Sequence, residues 1–136
     1  MFTLRIDRSM DGLEQVGDWV DGVAAALGLD ATADYAMRLC IEEAAANVVM
    51  HGVAGPADDA DSVVLRVEPL AGALRVVVED RCAAFDPLGV PPPAPPSSLG
   101  EARIGGLGIH LMRQYAQSMS YERAGNVNRL TMVVAR

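Results

Sequence analysis

Apolar and polar positions change their period several times along this chain, and each change marks an element. "FTLRID" (residues 2–7) alternates apolar with polar in the manner of a half-buried strand. Residues 10–27 switch to helical spacing and run into "LGLD", where Gly28 supplies a stop. Asp30 or Thr32 is placed to cap the next helix, expected from about Ala33 to Met50 and ending near His51 and Gly52. "GPADDAD" reads as a turn. "SVVLRVEPL" and "ALRVVVED" are β-rich runs on either side of Ala71 and Gly72, the pattern of a hairpin. After a proline-rich stretch, "IGGLGIHLMRQYAQ" begins in glycines and turns helical. "MSYERA" and "NRLTMVVA", joined around Gly125, predict a closing hairpin.

Hairpins dominate this order where a parallel sheet would need βαβ crossovers. The expected fold class is an α/β (α+β) two-layer sandwich. Its sheet is mixed but mainly antiparallel, with helices packed on one face, in a single domain over residues 1–136. "PLGVPPPAPPSS" holds six of the eight prolines and supports neither helix nor strand. A loop of that length inside a compact domain often serves as a lid or a binding loop.

The second helix carries an anomaly. At 100° per residue, Met37, Ile41, Ala44 and Val48 form one apolar stripe, and Glu42 points well away from it into solvent. Glu43, Asn47 and His51 are spaced four apart, so they share a face on the flank of that stripe, where the core meets a cleft. A bare i,i+4 surface pair explains the spacing equally well, so other segments must decide. Asp80 ends a β-rich run, and a carboxylate there can accept a hydrogen bond from a donor on a ligand's edge, such as the exocyclic amine of adenine. "GGLG" (residues 105–108) opens a helix, where glycines let backbone N–H groups approach an anion. A helix face with a carboxylate and an amide, a strand-end Asp and a glycine turn have one economical explanation: a nucleotide with its metal.

Composition narrows the choice further. The chain is 51% hydrophobic and 21% charged, which fits a globular fold, and its net charge of −7 argues against direct nucleic-acid binding. All eleven basic residues are arginines, so no lysine chemistry is available, including the Walker-type phosphate loop. Two cysteines without CxxC spacing make a disulfide framework or structural zinc a poor expectation. No segment approaches the roughly 20 apolar residues that span a bilayer, and "MFTLRID" lacks a signal peptide's apolar run. No membrane association and a cytoplasmic location are expected.

Three boxes in order, "EAAANVVMHG", "DRCAAFDP" and "GGLGIHLMRQYAQSMSYERAGNVNRLTMV", resemble the ATP-site boxes of bacterial anti-sigma regulatory factors. These are small serine-protein kinases with the histidine-kinase-like ATPase, or Bergerat, fold. The resemblance implies that Asn47 ligates Mg²⁺ and that Glu43 is the catalytic base. It implies an adenine reader at Asp80, phosphate accommodation at Gly105, Gly106 and Gly108, and an ATP lid over about residues 87–105. Cys82, Phe85, Leu107 and Arg103 join the implied nucleotide-binding set, as does Asn128 near the adenine-side aspartate, whereas His51 fixes the helix end. The implied function is that of an anti-sigma factor with ATP-dependent serine/threonine kinase activity. Its partners would be a sigma factor and an anti-sigma factor antagonist of the STAS type, and a homodimer is in keeping with the family.

One position departs from the pattern. The family usually has glycine where this chain has Cys82. Glycine there leaves room for adenine and permits an unusual backbone angle. A strained non-glycine residue costs roughly 1–3 kcal/mol, which would weaken ATP binding roughly 10- to 100-fold without abolishing it. The alternative reading is a non-catalytic partner-binding module of the same fold. A detached ATPase half of a two-component histidine kinase fits less well, since both histidines, His51 and His110, fall inside the ATPase-like boxes.

Overall fold

The computed structural model describes residues 1–55, 60–89 and 107–136. Strand β1 (Phe2–Asp7) leads into helix α1 (Met10–Leu27), which Ser9 opens by accepting the Gly12 N–H. Gly28 closes α1 in the left-handed conformation (φ 61°) that favours glycine, and its N–H bonds the carbonyls of Ala24 and Ala25. Helix α2 (Ala31–His51) starts two residues earlier than its apolar pattern suggests. The reason is its cap: Asp30 accepts the Ala33 N–H at 2.8 Å, which brings the intervening residues into the first turn.

Strands β2 (Ser62–Leu70) and β3 (Ala73–Asp80) form the first hairpin, turned by Gly72 with φ 69°. A short 3₁₀ turn (Pro87–Gly89) follows β3. Helix α3 (Leu107–Tyr115) then leads into β4 (Ser118–Ala124) and β5 (Val127–Ala135), a hairpin turned by Gly125 with φ 58°. The sheet order is β1-β2-β3-β5-β4, and each neighbouring pair is antiparallel. Helices on one face of an antiparallel sheet make the expected two-layer sandwich.

Alternation decides the two faces of the sheet. Val63, Leu65, Val67, Leu74, Val76, Val78, Leu130, Met132 and Val134 point into the core against Val16, Val20 and Val23 of α1 and Met37, Ile41 and Ala44 of α2. The opposite face carries charge, paired across strands as Arg66–Glu79, Arg129–Glu122 and Arg75–Glu68. The inward register of β3 ends on Asp80, and that of β5 begins on Asn128 directly opposite. The core-facing side of the sheet therefore turns polar at one end, beneath the C-terminal half of α2.

Candidate functional site

A cavity of about 200 Å³ opens at that polar end. Ala44, Asn47, Val48 and His51 of α2 form one wall, and Val78, Asp80, Asn128 and Leu130 of the sheet form the floor. Gly52, Val53 and residues 82–85 close one side. Tyr121 and Pro87 complete the lining. The cavity is mostly apolar with a few convergent polar groups, the usual character of a small-ligand site.

Asp80 and Asn128 are the buried polar residues of the described core, 8% and 5% exposed. Burying a carboxylate is costly unless hydrogen bonds compensate, and here they do. The Asp80 Oδ1 accepts the Cys82 N–H at 3.0 Å and an Asn128 Nδ2–H at 2.9 Å. The Cys82 side chain hydrogen-bonds the same carboxylate, which lines the cavity.

Asn128 also donates to the carbonyls of Ala83 (3.1 Å) and Cys82 (3.3 Å), while Arg123 donates to the Cys82 carbonyl at 2.8 Å. Residues 82–85 are thus held by side chains reaching across from β4 and β5. A bridge between Ala54 and Cys82, with the Ala83 N–H on the Val53 carbonyl at 2.7 Å, ties the same segment to the chain leaving α2. Arg8 supports that exit by donating to the Gly52 carbonyl at 2.9 Å and to Asp61 at 2.9 Å.

Cys82 is buried, and burial, aided by the negative charge of Asp80, pushes its thiol up to about 11. Its Sγ lies where a side chain on Gly52 would crowd it, so Gly52 makes room for the thiol. No non-glycine residue among those described has positive φ, and Cys82 is no exception. The backbone strain expected from a non-glycine residue here is therefore absent. A bridge geometry suits any amino acid, and the steric question reduces to a thiol tucked against Gly52.

The residues singled out in the sequence divide into four groups. Asn47, Asp80, Cys82, Phe85 and Asn128 come together around the cavity, with Phe85 contributing a 54% exposed ring at its rim. Glu43 and Gly108 meet beside it: Glu43 is half-buried on α2, and a β-carbon on Gly108 would overlap its Oε2. Leu107 is exposed at the start of α3 and does not line the cavity. Arg103, Gly105, Gly106 and all of the expected lid beyond Gly89 lie outside the described residues. The lid's first turn is described: Asp86 caps it through the Leu88 N–H at 2.9 Å, and Arg113 of α3 donates to the Leu88 carbonyl at 2.8 Å.

Tyr121, Arg123 and Arg8 were not singled out in the sequence. The alternation in "SMSYERA" puts Tyr121 and Arg123 on one face, but their targets are visible only once strand register is known. Among the described residues no cluster of three His, Cys, Asp or Glu side chains could hold a metal. A cation beside Asn47 would thus draw its other ligands from water and a bound phosphate, as Mg²⁺ commonly does. The donor chemistry fits: Asn47 offers an amide oxygen on the cavity wall, one turn beyond Glu43.

Residues 8–134 match the model of the histidine kinase-like ATPase domain. The chain belongs to the histidine kinase-like ATPase family. Within this family it is similar to the serine/threonine-protein kinase BtrW of Bordetella bronchiseptica, 31% identical over 114 residues. That alignment covers 84% of this chain and 79% of BtrW. Among solved structures it resembles the RsbU and RsbW domains of Rv1364c from Mycobacterium tuberculosis, with a TM-score of 0.62 and 16% identity. The match covers 99% of this chain but 32% of that one, and it speaks for the histidine kinase-like ATPase fold. No described helix is long and apolar enough to cross a membrane.

Proposed function

We propose that the chain is an ATP-dependent serine/threonine kinase that phosphorylates a small partner protein, an anti-sigma factor antagonist of the STAS type. Phosphorylating the antagonist would free the chain to hold a sigma factor in the cytoplasm. The observation that carries this reading is the tethered, buried Asp80 carboxylate, which lines a cavity whose opposite wall holds Asn47. The similarity to BtrW, a serine/threonine-protein kinase, supports the same class of reaction.

In this reading Asp80 accepts the exocyclic amine of adenine, and Phe85 covers the exposed edge of the base. Asn47 would hold Mg²⁺, which supplies charge neutralisation on the phosphates. Glu43, one turn before Asn47, takes the proton of the partner's serine or threonine hydroxyl as its oxygen bonds to the terminal phosphorus, and ADP leaves. Gly105, Gly106, Leu107, Gly108 and Arg103 would serve the phosphates. The non-catalytic alternative rested on a side chain at Cys82: its backbone has no positive φ, and its thiol lines the cavity where glycine would leave more room for adenine.

The test is transfer of the γ-phosphoryl group from radiolabelled ATP to a purified STAS-type antagonist from the same genome. Label on a serine or threonine is expected, falling on the order of 10²- to 10⁴-fold in Glu43→Gln while nucleotide binding persists. Wild-type protein that binds ATP but labels no antagonist, or a Glu43→Gln variant as fast as wild type, would contradict the assignment.

A further inference from the structure

A chain of side chains crosses three strands at the floor of the cavity, from Asp80 on β3 through Asn128 on β5 to Tyr121 on β4. Asn128 sits directly opposite Asp80, while Tyr121 sits opposite Leu130, two residues along β5 from Asn128. Tyr121 and Asn128 are therefore diagonal neighbours on the same face, within reach for an aromatic side chain. The Tyr121 hydroxyl donates to Asn128 Oδ1 at 2.6 Å, and the Phe85 N–H donates to the same oxygen at 3.3 Å.

The amide's orientation follows from its surroundings. On its Nδ2 side lie the Asp80 carboxylate and the carbonyls of Cys82 and Ala83, acceptors all. A flipped amide would set its oxygen against those three and leave the Tyr121 hydroxyl facing an N–H. Both Nδ2 protons are thus committed to the protein, and Asn128 has no donor left for a ligand. Asp80, bonded twice on Oδ1, can present to a ligand only an acceptor.

We infer that Tyr121 is a positioning residue for base discrimination: its hydroxyl locks the Asn128 amide, so that the floor of the cavity accepts an amine and rejects an oxo group. This rests on the nucleotide reading above and deepens it. An amino-purine places a donor against the Asp80 carboxylate. A 6-oxo purine places an acceptor there and finds no compensating N–H, because the Asn128 donors are held away. Without the hydroxyl, the amide oxygen keeps only the longer Phe85 contact, and the amide is held mainly from its Nδ2 side. A tether reduced in this way lets the amide swing more often, and each excursion turns one Nδ2–H toward an oxo group.

The experiment compares wild type with Tyr121→Phe, which keeps the ring that lines the cavity, using ATP and ITP as probes. Calorimetry with each nucleotide gives the ratio of dissociation constants, and that ratio is expected to fall at least about fivefold in the variant. Exchange of the Asn128 side-chain amide protons, followed by NMR without nucleotide, is expected to be slow in wild type and at least about tenfold faster in Tyr121→Phe. An unchanged ITP-to-ATP ratio overturns the inference. So do Asn128 protons that exchange in wild type as fast as those of an exposed asparagine, a result that needs neither the variant nor nucleotide. Wild-type protein that binds no ATP sinks the nucleotide reading itself, whereas the exchange rates judge the tether separately.

Discussion

The Oε2 of Glu43 lies so close to the α-carbon of Gly108 that no β-carbon fits between them. Glycine at this position thus lets the Glu43 carboxylate stand where it does: Gly108 has no positive φ, and a β-carbon would push that carboxylate on the neighbouring helix aside. The first turn of α3 and the middle of α2 meet here, and the positive end of the α3 dipole faces a negative group. A glycine expected from the sequence to accommodate phosphate also sets where Glu43 stands.

Gly108→Ala should therefore displace the proposed base. Phosphoryl transfer is expected to drop about 10- to 100-fold, since small misplacements of a catalytic group carry penalties of that order. In a Glu43→Gln background the same substitution should add little, because the group it displaces is already disabled. Single-turnover transfer rates for the four proteins of the cycle check this. Equal losses in both backgrounds would show that Gly108 acts on something other than Glu43.

Cys82→Gly should bring no recovery of nucleotide affinity, because there is no strained backbone for glycine to relieve. The ATP dissociation constant is expected to stay within about threefold of wild type. Stability should fall by about 1–2 kcal/mol, from the buried thiol lost and the backbone freedom that glycine adds to the unfolded chain. Calorimetric titration and thermal melts together read both effects. A tenfold gain in affinity would mean that the thiol obstructs the ligand.

Burial pushes both thiols, Cys40 and Cys82, from an ordinary value of 9.0 up to about 11, and at Cys82 the Asp80 charge adds to the effect. The folded protein holds these protons more tightly than the unfolded chain does. Their contribution to stability is complete below about pH 9 and is lost as pH rises through about 11. The melting temperature should fall across that window, and less steeply in the Cys40→Ala, Cys82→Ala double variant. The same burial predicts that a thiol reagent at pH 7.5 modifies neither cysteine until the protein unfolds.

Much of the scaffold was legible because it rests on local patterns. The Met37, Ile41 and Ala44 stripe is buried, Glu42 is exposed, Gly28 and Asp30 cap their helices, and Gly72 and Gly125 turn the two hairpins. These signals need only a residue and its near neighbours. Asn47 was legible as an amide on the flank of the apolar stripe, and Asp80 as a carboxylate ending a β-rich run. Arg123 and Arg8 were not, because each acts on a segment more than forty residues away, and Tyr121 was not, because its reach to Asn128 depends on the register of the β4–β5 hairpin. The strain expected at Cys82 failed for a similar reason: its backbone angle is set by the bridge to Ala54, which no local pattern around "DRCAAFDP" announces. The role of Arg113, donating to Leu88 at the base of the expected lid, likewise needed the two segments side by side.

The most direct test of the central claim is calorimetric titration with ATP, with and without Mg²⁺, on wild type and Asn47→Ala. The α2 face, as read here, predicts micromolar binding that depends on Mg²⁺ in wild type and loses that dependence in Asn47→Ala, with the fold intact by thermal melt. Binding of equal strength in both proteins, indifferent to Mg²⁺, would contradict it.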